Sequence, residues 1–575
     1  MGLPGFFAYI YKNFKSRLLL KRLPNGCDHL YIDANCLFHP QCTAIKEAFP
    51  DLTVDKLEEK MIQRIKNYLT YLFNFADANR SNVTCVDGVA PIAKQGQQRK
   101  RRFKAVDEVV IRDNIKRKHN KTINNQWSST AISTGSVFME KLHQELLDYF
   151  KNKKSKGKHI YSSYHTAGEG EHSALQHIKA NIKEGDTVVI YGLDADLIFL
   201  AMTSGIENIY LLREAVNFGI KAEKDELYDP VEDVAEDLIY VPIKELKSAF
   251  NDQIWYLINQ KHNINVKLSS STSFSNDIVV IAFMLGNDFL PHFPSININK
   301  GGMDSIIDAY IECLAECNCL LTSIVNKKLE INQVFLNLLI ERMGNKEERF
   351  FREGLPYYQN QMSRRSCPAQ DDYSKEVWRL DNLKSFKIHD PVKLGTDSAE
   401  EYKFRYYEHH FGVSAHQQEF IDKLVELYLE GIMWVGRYYF ESCPDWKWQF
   451  PFDNGPFISD VSAYLKRHNN YNINDIVFNL NEPIDPMTQL VAILPPASAN
   501  LLPESYRSLV LDDNSPIIDM FPSKTELDML HKDLYWQCIP KLPFLDIDRV
   551  IEATAGKKLT KEEKKRNIVC DNFTF

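Results

Sequence analysis

Two aspartates, Asp194 and Asp196, directly follow a short β-branched run at residues 187–190. Such a run, bounded by glycines, predicts a buried strand of a parallel sheet. Residues two apart share a face in extended chain, so both carboxylates are expected to point into the crevice where open α/β sheets bind ligands. Neighbouring carboxylates repel each other unless a cation neutralises them, and hard divalent cations take oxygen ligands. An isolated pair of this kind is more often one capping residue and one solvated residue of a turn.

Other acidic residues stand at the ends of predicted elements, after the strands 29–33 and 82–86 and near the apolar helix 277–286. The full set is Asp33, Asp87, Glu169, Glu171, Asp194, Asp196 and Asp288. Burying one unpaired carboxylate costs several kcal/mol, so a purely structural role does not explain this set. For Asp288 the alternative interpretation is a buried helix that ends in a glycine cap. Two divalent cations, Mg²⁺ or Mn²⁺, would neutralise the set and define a two-metal phosphodiesterase centre.

A second set of residues is mainly basic. Lys94, Gln98, Arg101 and Arg102 occupy offsets of 0, 4, 7 and 8, which lie on one face of a helix. Three cations and an amide on one face suit a terminal phosphate, which arginine can bind in bidentate fashion. A solvated basic helix and, for residues 99–104, a nuclear-localisation signal are the alternative interpretations. The acidic set in the same chain favours phosphate binding.

The elements that position these residues alternate between strands and helices. Strands are predicted at 29–33, 82–86, near Ile160, at 187–190 and at 208–212, and helices at 53–76 and 136–151. This repetition predicts an α/β fold with a doubly wound, mostly parallel central sheet flanked by helices. A helical and loop-rich C-terminal region is expected to pack on it. We expect an N-terminal α/β region at 1–343, a connecting region at 344–400 and a mainly helical region at 401–575 that completes the cleft.

The composition sets further limits. With 575 residues, 44% hydrophobic and 25% charged, the chain is typical of a soluble globular protein with more than one substructure. A net charge of −8 argues against indiscriminate polyanion binding, so a nucleic-acid site must be a local basic patch. The eleven cysteines lack framework spacing, which indicates a reducing compartment, and Cys313, Cys317 and Cys319 are predicted as helix or core residues rather than zinc ligands. No apolar run reaches the ~20 residues of a membrane-spanning helix, so no membrane partner is expected.

Several longer motifs resemble the Xrn family of 5′→3′ exoribonucleases. They are, in the family's order, MGLPGFF at the start, VDGVAPIAKQGQQRKRRF, AGEGEH, YGLDADLI, GNDFLPH, EGIMWVGRYYF, NEPIDPMTQLVAILPP and SPIIDMFP. The resemblance extends from residue 1 to about residue 550 and includes both conserved regions of that family. It implies a minimal catalytic core with a PIN or flap-nuclease-like sheet. Cys36 and Leu37 depart from the residues often found there, a change to which we assign no chemical consequence.

The resemblance also implies a role for each site residue. The seven acids match family positions that hold two metal ions, and Lys94, Gln98, Arg101 and Arg102 match the pocket for a 5′-monophosphate. His39 matches a histidine that stacks on a base, and Trp446 or Trp448 is the candidate for its partner.

The implied function is processive 5′→3′ degradation of single-stranded, 5′-monophosphorylated RNA to nucleoside 5′-monophosphates by two-metal-ion hydrolysis, in RNA decay after decapping. We expect a monomer in the cytoplasm, although the basic segment leaves a nuclear location open. A structure-specific DNA nuclease of the flap-endonuclease type and a non-catalytic RNA-binding scaffold are the alternatives.

Overall fold

The computed structural model describes residues 5–123, 127–218, 228–261, 265–413, 417–570 and 573–574. Its strands are β1 His29–Asp33, β2 Ser81–Cys85, β3 Lys158–Ser162, β4 Val188–Tyr191, β5 Ile209–Glu214, β6 Leu238–Pro242, β7 Thr322–Val325, β8 Lys328–Ile331, β9 Leu527–Asp528, β10 Ile539–Pro540 and β11 Phe573–Thr574. Its α-helices are α1 Phe6–Leu18, α2 Ala34–Ala48, α3 Val54–Ala76, α4 Ile92–Lys118, α5 Val137–Asn152, α6 Gly170–Asn181, α7 Asp196–Thr203, α8 Ile243–Tyr256, α9 Ser275–Phe283, α10 Gly302–Cys317, α11 Gln333–Arg349, α12 Leu355–Ser363, α13 Asp372–Asp381, α14 Ala399–Phe411, α15 Gln418–Phe440, α16 Ile458–Arg467, α17 Pro486–Ile493, α18 Glu504–Leu511, α19 Ile547–Thr554 and α20 Lys561–Arg566.

These elements divide into two units. The sheet unit comprises Phe14–Glu245, Asn481–Leu527 and Pro540–Phe575. The helical unit comprises Met1–Asn13, Leu246–Leu480 and Asp528–Ile539. Each unit is therefore built from stretches of chain that are far apart in sequence.

In the described part of the sheet unit, seven strands form one sheet in the order β11-β3-β2-β1-β4-β5-β6. The five inner strands are parallel, whereas β11 and β6 run antiparallel to β3 and β5 at the two edges. Strands β2 and β4 are buried along their whole length, as in a parallel sheet that is covered on both faces. The predicted doubly wound, mostly parallel sheet flanked by helices is confirmed.

Strand β1 lies where the winding of this sheet reverses direction. From β1 the chain adds β2 and β3 on one side, and it then places β4 and β5 on the other side. Ligands of such sheets bind in the crevice outside the carboxyl ends of the strands at this position. Asp33 is the last residue of β1, Asp87 follows β2 and Asp194 follows β4. The strand order thus brings acids that are distant in sequence to one edge of the sheet.

The segment from Asp194 to Asp196 differs from its predicted extended form. Ala195 has φ −69° and ψ −24°, a right-handed helical conformation, and Asp196 is the first residue of α7. The prediction that both carboxylates share a face because the chain is extended is therefore wrong. An acidic residue in a first helical turn is favoured by the exposed N–H groups and the helix dipole, which explains why α7 begins here.

Segments from the C-terminal part of the chain complete the sheet unit around α4. Helix α17 packs against α4, and the backbone N–H of Ala90 donates to Oε1 of Gln489 at 2.9 Å. Nη1 of the buried Arg99 donates to the carbonyl oxygen of Pro543 at 2.7 Å. The apolar core that α4 shares with these segments includes Ile92, Phe103, Met487, Leu490, Val491, Ile517 and Val550. Helix α4 is thus fixed in place by residues that come much later in the sequence.

Two buried carboxylates organise the helical unit. Asp277 in α9 accepts a hydrogen bond from the hydroxyl of Tyr310 at 2.6 Å. Glu347 in α11 accepts from the hydroxyl of Ser295 at 2.9 Å and from the backbone N–H of Ile458 at 3.0 Å. Buried carboxylates with this many donors stabilise the fold, because the donors replace the lost solvation. We therefore assign both residues a structural role.

Residues 344–400, predicted as a connecting region, contain the end of α11, a π-helical turn at Phe350–Gly354, α12 and α13. An aromatic core of this unit includes Phe351, Tyr402, Tyr406, Tyr407 and Phe457. The predicted boundaries at residues 343 and 400 stay a prediction. Within the described ranges, no helix is both long enough and apolar enough to cross a membrane.

Candidate metal centre and phosphate site

Six of the seven predicted metal ligands lie in the sheet unit, beyond the carboxyl ends of its parallel strands. Glu169 immediately precedes α6, and Glu171 lies in its first turn. Gly170 allows α6 to approach the sheet, since a Cβ there would lie 2.8 Å from the last carbonyl oxygen of β2 and 3.4 Å from Oδ1 of Asp33. The backbone N–H of Gly170 donates to Oδ1 of Asp87 at 2.7 Å. The Glu-Gly-Glu motif thus places two acids beside two others.

Burial and mutual repulsion raise the pKa values of three acids of this set, Asp33, Asp87 and Glu171. Asp33 is 4% exposed, and burial, followed by repulsion from Asp87, raises its pKa to about 8. Burial and the charge of Glu169 raise the pKa of Asp87 to about 6. Burial and the charge of Asp196 raise the pKa of Glu171 well above its usual value. Mutual repulsion of buried carboxylates is a frequent property of functional sites.

A thiol and an ammonium group partly offset this repulsion. The thiol of Cys36 donates to Oδ2 of Asp33 at 2.7 Å and lowers the pKa of that carboxyl. Lys94 is 6% exposed, and its Nζ forms an ion pair with Oε2 of Glu169. Its charge also lowers the pKa of Glu171. The net pKa of Asp33 and Glu171 nevertheless stays raised, so these two groups do not fully offset burial and the repulsion between the acids.

The donor set fits hard divalent cations. Oε2 of Glu171 is buried and has no hydrogen-bond partner among the residues that the structure describes. Carboxylate oxygens are the ligands that Mg²⁺ and Mn²⁺ prefer, and cation binding would remove the repulsion between the acids. In the same described residues, no three His, Cys, Asp or Glu side chains are already arranged around one ion position.

The four predicted phosphate-binding residues lie on α4, near the acids. Arg101 is exposed, whereas Nε of Arg102 donates to Oγ of Ser133 at 3.0 Å and its Nη1 to the carbonyl oxygen of Gln98 at 3.3 Å. Burial, followed by the charge of Arg101, lowers the pKa of Arg102 to about 9. Oε1 of Gln98 is buried without a hydrogen-bond partner in the described part of the chain. This helix face therefore carries cationic charge that an anion would stabilise.

His39 lies in α2, between the acidic and the basic set. Burial, followed by the charges of Arg101 and Arg102, lowers its pKa to about 4, while Asp194 acts in the opposite direction. The imidazole is therefore neutral at pH 7. A half-buried, neutral ring in this position can contact an apolar or aromatic group of a ligand.

Three further predicted site residues belong to the helical unit. Asp288 lies in the loop after α9, next to Asn287, whose Oδ1 accepts from the backbone N–H of residue 289 at 2.9 Å. Trp446 is partly exposed. Trp448 is 8% exposed, and its ring stacks on Trp434 with centroids 5.1 Å apart. Of the two tryptophans, Trp446 is the more exposed in this unit.

Two contacts of the site could not be seen in the sequence. We assigned no chemical consequence to Cys36, but its thiol is a direct donor to Asp33, so that interpretation is corrected. Ser133 contacts Arg102 from 31 positions away, in the turn that precedes α5, and no spacing pattern connects the two. The contact between Cys36 and Asp33 is local, but it depends on the turn from β1 into α2, whereas the contact between Ser133 and Arg102 is tertiary.

A buried acidic set beside a basic helix face defines a candidate site for metal-dependent phosphoryl transfer. A family model described as "XRN 5'-3' exonuclease N-terminus" matches residues 1–215, and one described as "Xrn1 helical domain" matches residues 273–385 and 356–575. Because the second model alone matches more than half of the sequence, this chain belongs to the Xrn family of 5′→3′ exonucleases.

Individual relatives agree with this assignment. The human 5'-3' exoribonuclease 1 is 29% identical over 99% of this chain and 35% of its own length. The 5'-3' exoribonuclease 2 homolog of Drosophila melanogaster is 27% identical over 100% of this chain and 73% of its own length. The Saccharomyces cerevisiae 5'-3' exoribonuclease 1 is 26% identical over 99% of this chain and 44% of its own length. This chain thus spans about a third of the human relative and under half of the yeast relative.

Among solved structures, the catalytic core of Rad2 in complex with DNA substrate aligns with 82% of this chain and 96% of its own. The identity is 13% and the TM-score is 0.28.

Proposed function

We propose that this chain is a metal-dependent 5′→3′ exoribonuclease that degrades single-stranded, 5′-monophosphorylated RNA to nucleoside 5′-monophosphates. The observation that carries the proposal is the adjacency of the acidic set and the basic face of α4 within the sheet unit of an Xrn-family chain. Arg102 is close enough to Asp87 for that carboxylate to influence its pKa, and Lys94 pairs with Glu169. Phosphate recognition and hydrolysis can therefore take place on neighbouring groups.

In this proposal the carboxylates hold two Mg²⁺ or Mn²⁺ ions. In the sheet unit these are Asp33, Asp87, Glu169, Glu171, Asp194 and Asp196, and the role of Asp288 as a further ligand stays a prediction. Divalent cations at such a site supply a lowered pKa for a water molecule and stabilise the charge that develops on a phosphodiester. The raised pKa values of Asp33 and Glu171 support this role, because a bound cation would offset the burial and the repulsion that raise them.

The basic face of α4 would select the end of the substrate. Arg101 and Arg102 can bind the oxygens of a terminal phosphate in bidentate fashion, and Gln98 and Lys94 add polar contacts. Holding the terminal phosphate fixes which phosphodiester lies at the acids, so cleavage releases one nucleotide and exposes a new 5′-phosphate. We propose that the strand stays bound between cleavages, which would make the degradation processive. A reaction that removes a cap or a pyrophosphate must supply this substrate, since the face offers cations for one phosphate group.

Base stacking would hold the first nucleotides without sequence preference. A neutral His39 beside Arg101 suits this role, and stacking on aromatic groups contributes about 1–3 kcal/mol per base. Between the two candidate tryptophans we propose Trp446, because a stacking ring must be accessible and Trp448 is covered by Trp434. The monomeric state and the cytoplasmic location stay predictions.

The test compares four 3′-labelled strands of one sequence: RNA and DNA, each with a 5′-monophosphate or a 5′-hydroxyl. Purified chain is incubated with each strand in Mg²⁺ or EDTA, and mononucleotide release is measured. We expect rapid, EDTA-sensitive release from the monophosphorylated RNA and slow release from the other three. The Glu171→Gln variant should bind this RNA but not degrade it.

Other outcomes would identify the alternatives. Faster cleavage of the DNA strands, or internal cuts, would favour a DNA nuclease. Binding of the RNA without release of nucleotides in any divalent metal would favour a non-catalytic scaffold.

A further inference from the structure

The helical unit contains a cavity of about 110 Å³, and none of its lining residues belongs to the proposed metal or phosphate sets. A water molecule needs ~10–15 Å³ of such space, so the cavity has room for a small molecule but not for a polynucleotide. Its lining mixes apolar groups with nitrogen-bearing side chains, among them Phe350, Tyr406, Leu530, His292, His410 and Lys532, and it also includes the carboxylate of Asp453. Such a mixture is typical of a small-ligand site.

Lys532 is the central polar group of this cavity. Among the residues that the structure describes, its ammonium group has no hydrogen-bond or ion-pair partner. Burial lowers its pKa, and so does the charge of Lys300, although the carboxylates of Asp528 and Asp453 act in the opposite direction. The net lowering comes chiefly from burial, so these carboxylates do not fully offset the cost of a buried ammonium charge, and an anion next to Lys532 would stabilise the charged form.

Lys300 lines the same cavity, but its charge is already compensated. Its Nζ lies 3.4 Å from Oδ2 of Asp533 and also 3.4 Å from the carbonyl oxygen of His531. Lys300 is 7% exposed and is held by these contacts. Lys532 is therefore the cation of this cavity that can contact a ligand, although the charge of Lys300 still acts on it.

Two histidines supply a donor and an acceptor. Burial lowers the pKa of His410 to about 3, so the ring is neutral at pH 7, and its Nδ1 accepts from Nδ2 of Asn454 at 3.1 Å. The hydrogen of His410 must then be on Nε2. Burial lowers the pKa of His292 to about 4, and its Nδ1 donates to the carbonyl oxygen of Phe293 at 2.7 Å, which leaves Nε2 as an acceptor.

We propose that this cavity binds a phosphate group, either as inorganic phosphate or as the phosphate of a nucleoside monophosphate. Lys532 provides the positive charge, Nε2–H of His410 donates to a phosphate oxygen, and Nε2 of His292 accepts from a P–OH group. Monohydrogen phosphate has both oxygen acceptors and a hydroxyl donor, so it matches this set in charge and in hydrogen bonding. The proposal is independent of the nuclease function proposed above.

The first test uses the unmodified full chain. Lysines are acetylated with an N-hydroxysuccinimide ester in chloride, in inorganic phosphate or in 5′-AMP at equal ionic strength, and each lysine is quantified by mass spectrometry. At a phosphate concentration ten times the dissociation constant of phosphate, acetylation of Lys532 should be about 10-fold slower. The acetylation rate of the exposed Lys328 should stay unchanged. Protection by 5′-AMP alone would identify a nucleotide site, and protection by both would identify a site for the phosphate group itself. Equal labelling of Lys532 in all three solutions would contradict the proposal.

A second test measures binding of labelled inorganic phosphate by equilibrium dialysis. Lys532→Met keeps most of the aliphatic side chain and should bind one equivalent less than the unmodified chain, while the matched Lys328→Met should bind the same amount. A folded Lys532→Met variant with undiminished binding would contradict the proposal. If phosphate binding is lost in Arg102→Gln but not in Lys532→Met, all bound phosphate is on α4. That result would contradict a phosphate site in this cavity and would not contradict the proposed nuclease function.

Discussion

Nζ of Lys94 on α4 forms a buried ion pair with Oε2 of Glu169, the residue that immediately precedes α6. One residue therefore belongs to both parts of the site, because Lys94 is also on the proposed phosphate-binding face. Its charge lowers the pKa of Asp87 and of Glu171. This contact links substrate recognition to the protonation state of the acidic set.

We predict that Lys94→Met has two effects. The rate on monophosphorylated RNA should fall by about 10–100-fold, since a hydrogen bond to a charged group contributes about 1.5–3 kcal/mol. The pKa values of Asp87 and Glu171 should rise without this cation, so the acidic limb of the pH–rate profile should move to higher pH. Lys118→Met, at the exposed end of α4, is the matched control. An unchanged pH profile would show that Lys94 does not act on the acids.

The metal-free protein should lose stability as the pH rises. The pKa of Asp33 is about 8 in the folded state, whereas an unperturbed aspartate has a pKa of 3.8. The folded state therefore binds the proton more tightly than the unfolded state. Its contribution to stability is therefore complete below pH ~4 and is lost as the pH rises towards 8. In EDTA at pH 8.5, Asp33→Asn should be more stable than the unmodified chain by at least ~1.4 kcal/mol, the equivalent of one pKa unit.

Thermal unfolding between pH 5 and pH 8.5 measures this difference. The exposed Asp51→Asn is the control, and its stability should follow that of the unmodified chain. Mg²⁺ should stabilise the unmodified chain more than Asp33→Asn. If both variants unfold alike at every pH, repulsion among the acids does not affect stability.

The thiol of Cys36 should lower the pKa of Asp33 and thereby affect activity. Removing it in Cys36→Ala is expected to raise the pKa of Asp33 further, because the thiol donates to Oδ2. Activity at pH 6 should then fall by about 10-fold relative to the unmodified chain, the equivalent of ~1.4 kcal/mol. Cys36→Ser retains a donor and should retain most activity, and Cys367→Ala controls for the loss of a thiol elsewhere. Equal activity of the alanine and serine variants would rule out the hydrogen bond as the cause.

Ser133 should contribute to the choice of substrate end. Its hydroxyl accepts from Nε of Arg102, and without it the guanidinium loses one of its two fixed contacts. We predict that Ser133→Ala reduces the preference for a 5′-monophosphate over a 5′-hydroxyl by about 3–10-fold, in the range of one hydrogen bond. The exposed Ser129→Ala, in the same turn, should keep the full preference.

Replacing Trp448 should reduce the stability of the chain, whereas replacing Trp446 should weaken RNA binding. Trp448→Ala should destabilise the chain by ~3–5 kcal/mol, because a buried ring stacked on Trp434 is lost. Trp446→Ala should leave the unfolding temperature nearly unchanged and weaken RNA binding by ~1–3 kcal/mol. Thermal unfolding and RNA titration of the same two variants measure both effects. Weaker RNA binding in a stable Trp448→Ala variant would reverse our choice between them.

Much of the sheet could be predicted from the sequence, because runs of β-branched and aromatic residues determine where buried strands form. The position of Asp33 at the end of β1 was predicted correctly, and the other inner strands lie within a few residues of their predicted bounds. The helical start of α7 at Asp196 could not be predicted from the spacing of two aspartates, since the same spacing suits a turn, a strand or a helix N-terminus.

The contacts that hold the site residues in place were less predictable. The basic face of α4 follows from helical periodicity, but the contacts of Gln489 and Pro543 that hold α4 join residues with no local relationship. The acidic set was visible as a list of residues at element ends. Its mutual electrostatics depend on strand order, which the sequence alone does not fix.

The hydrogen bond from Arg99 to Pro543 joins residues 444 positions apart, so α4 leaves the ribosome long before its support is synthesised. At ~5–20 residues per second, the interval is ~20–90 s. During that time the nascent chain has its basic helix but not the segments that fix it against the acids. A chain assembled in this order can fix α4 only after Pro543 has been synthesised, so the basic face of α4 lacks this support for the whole of that interval.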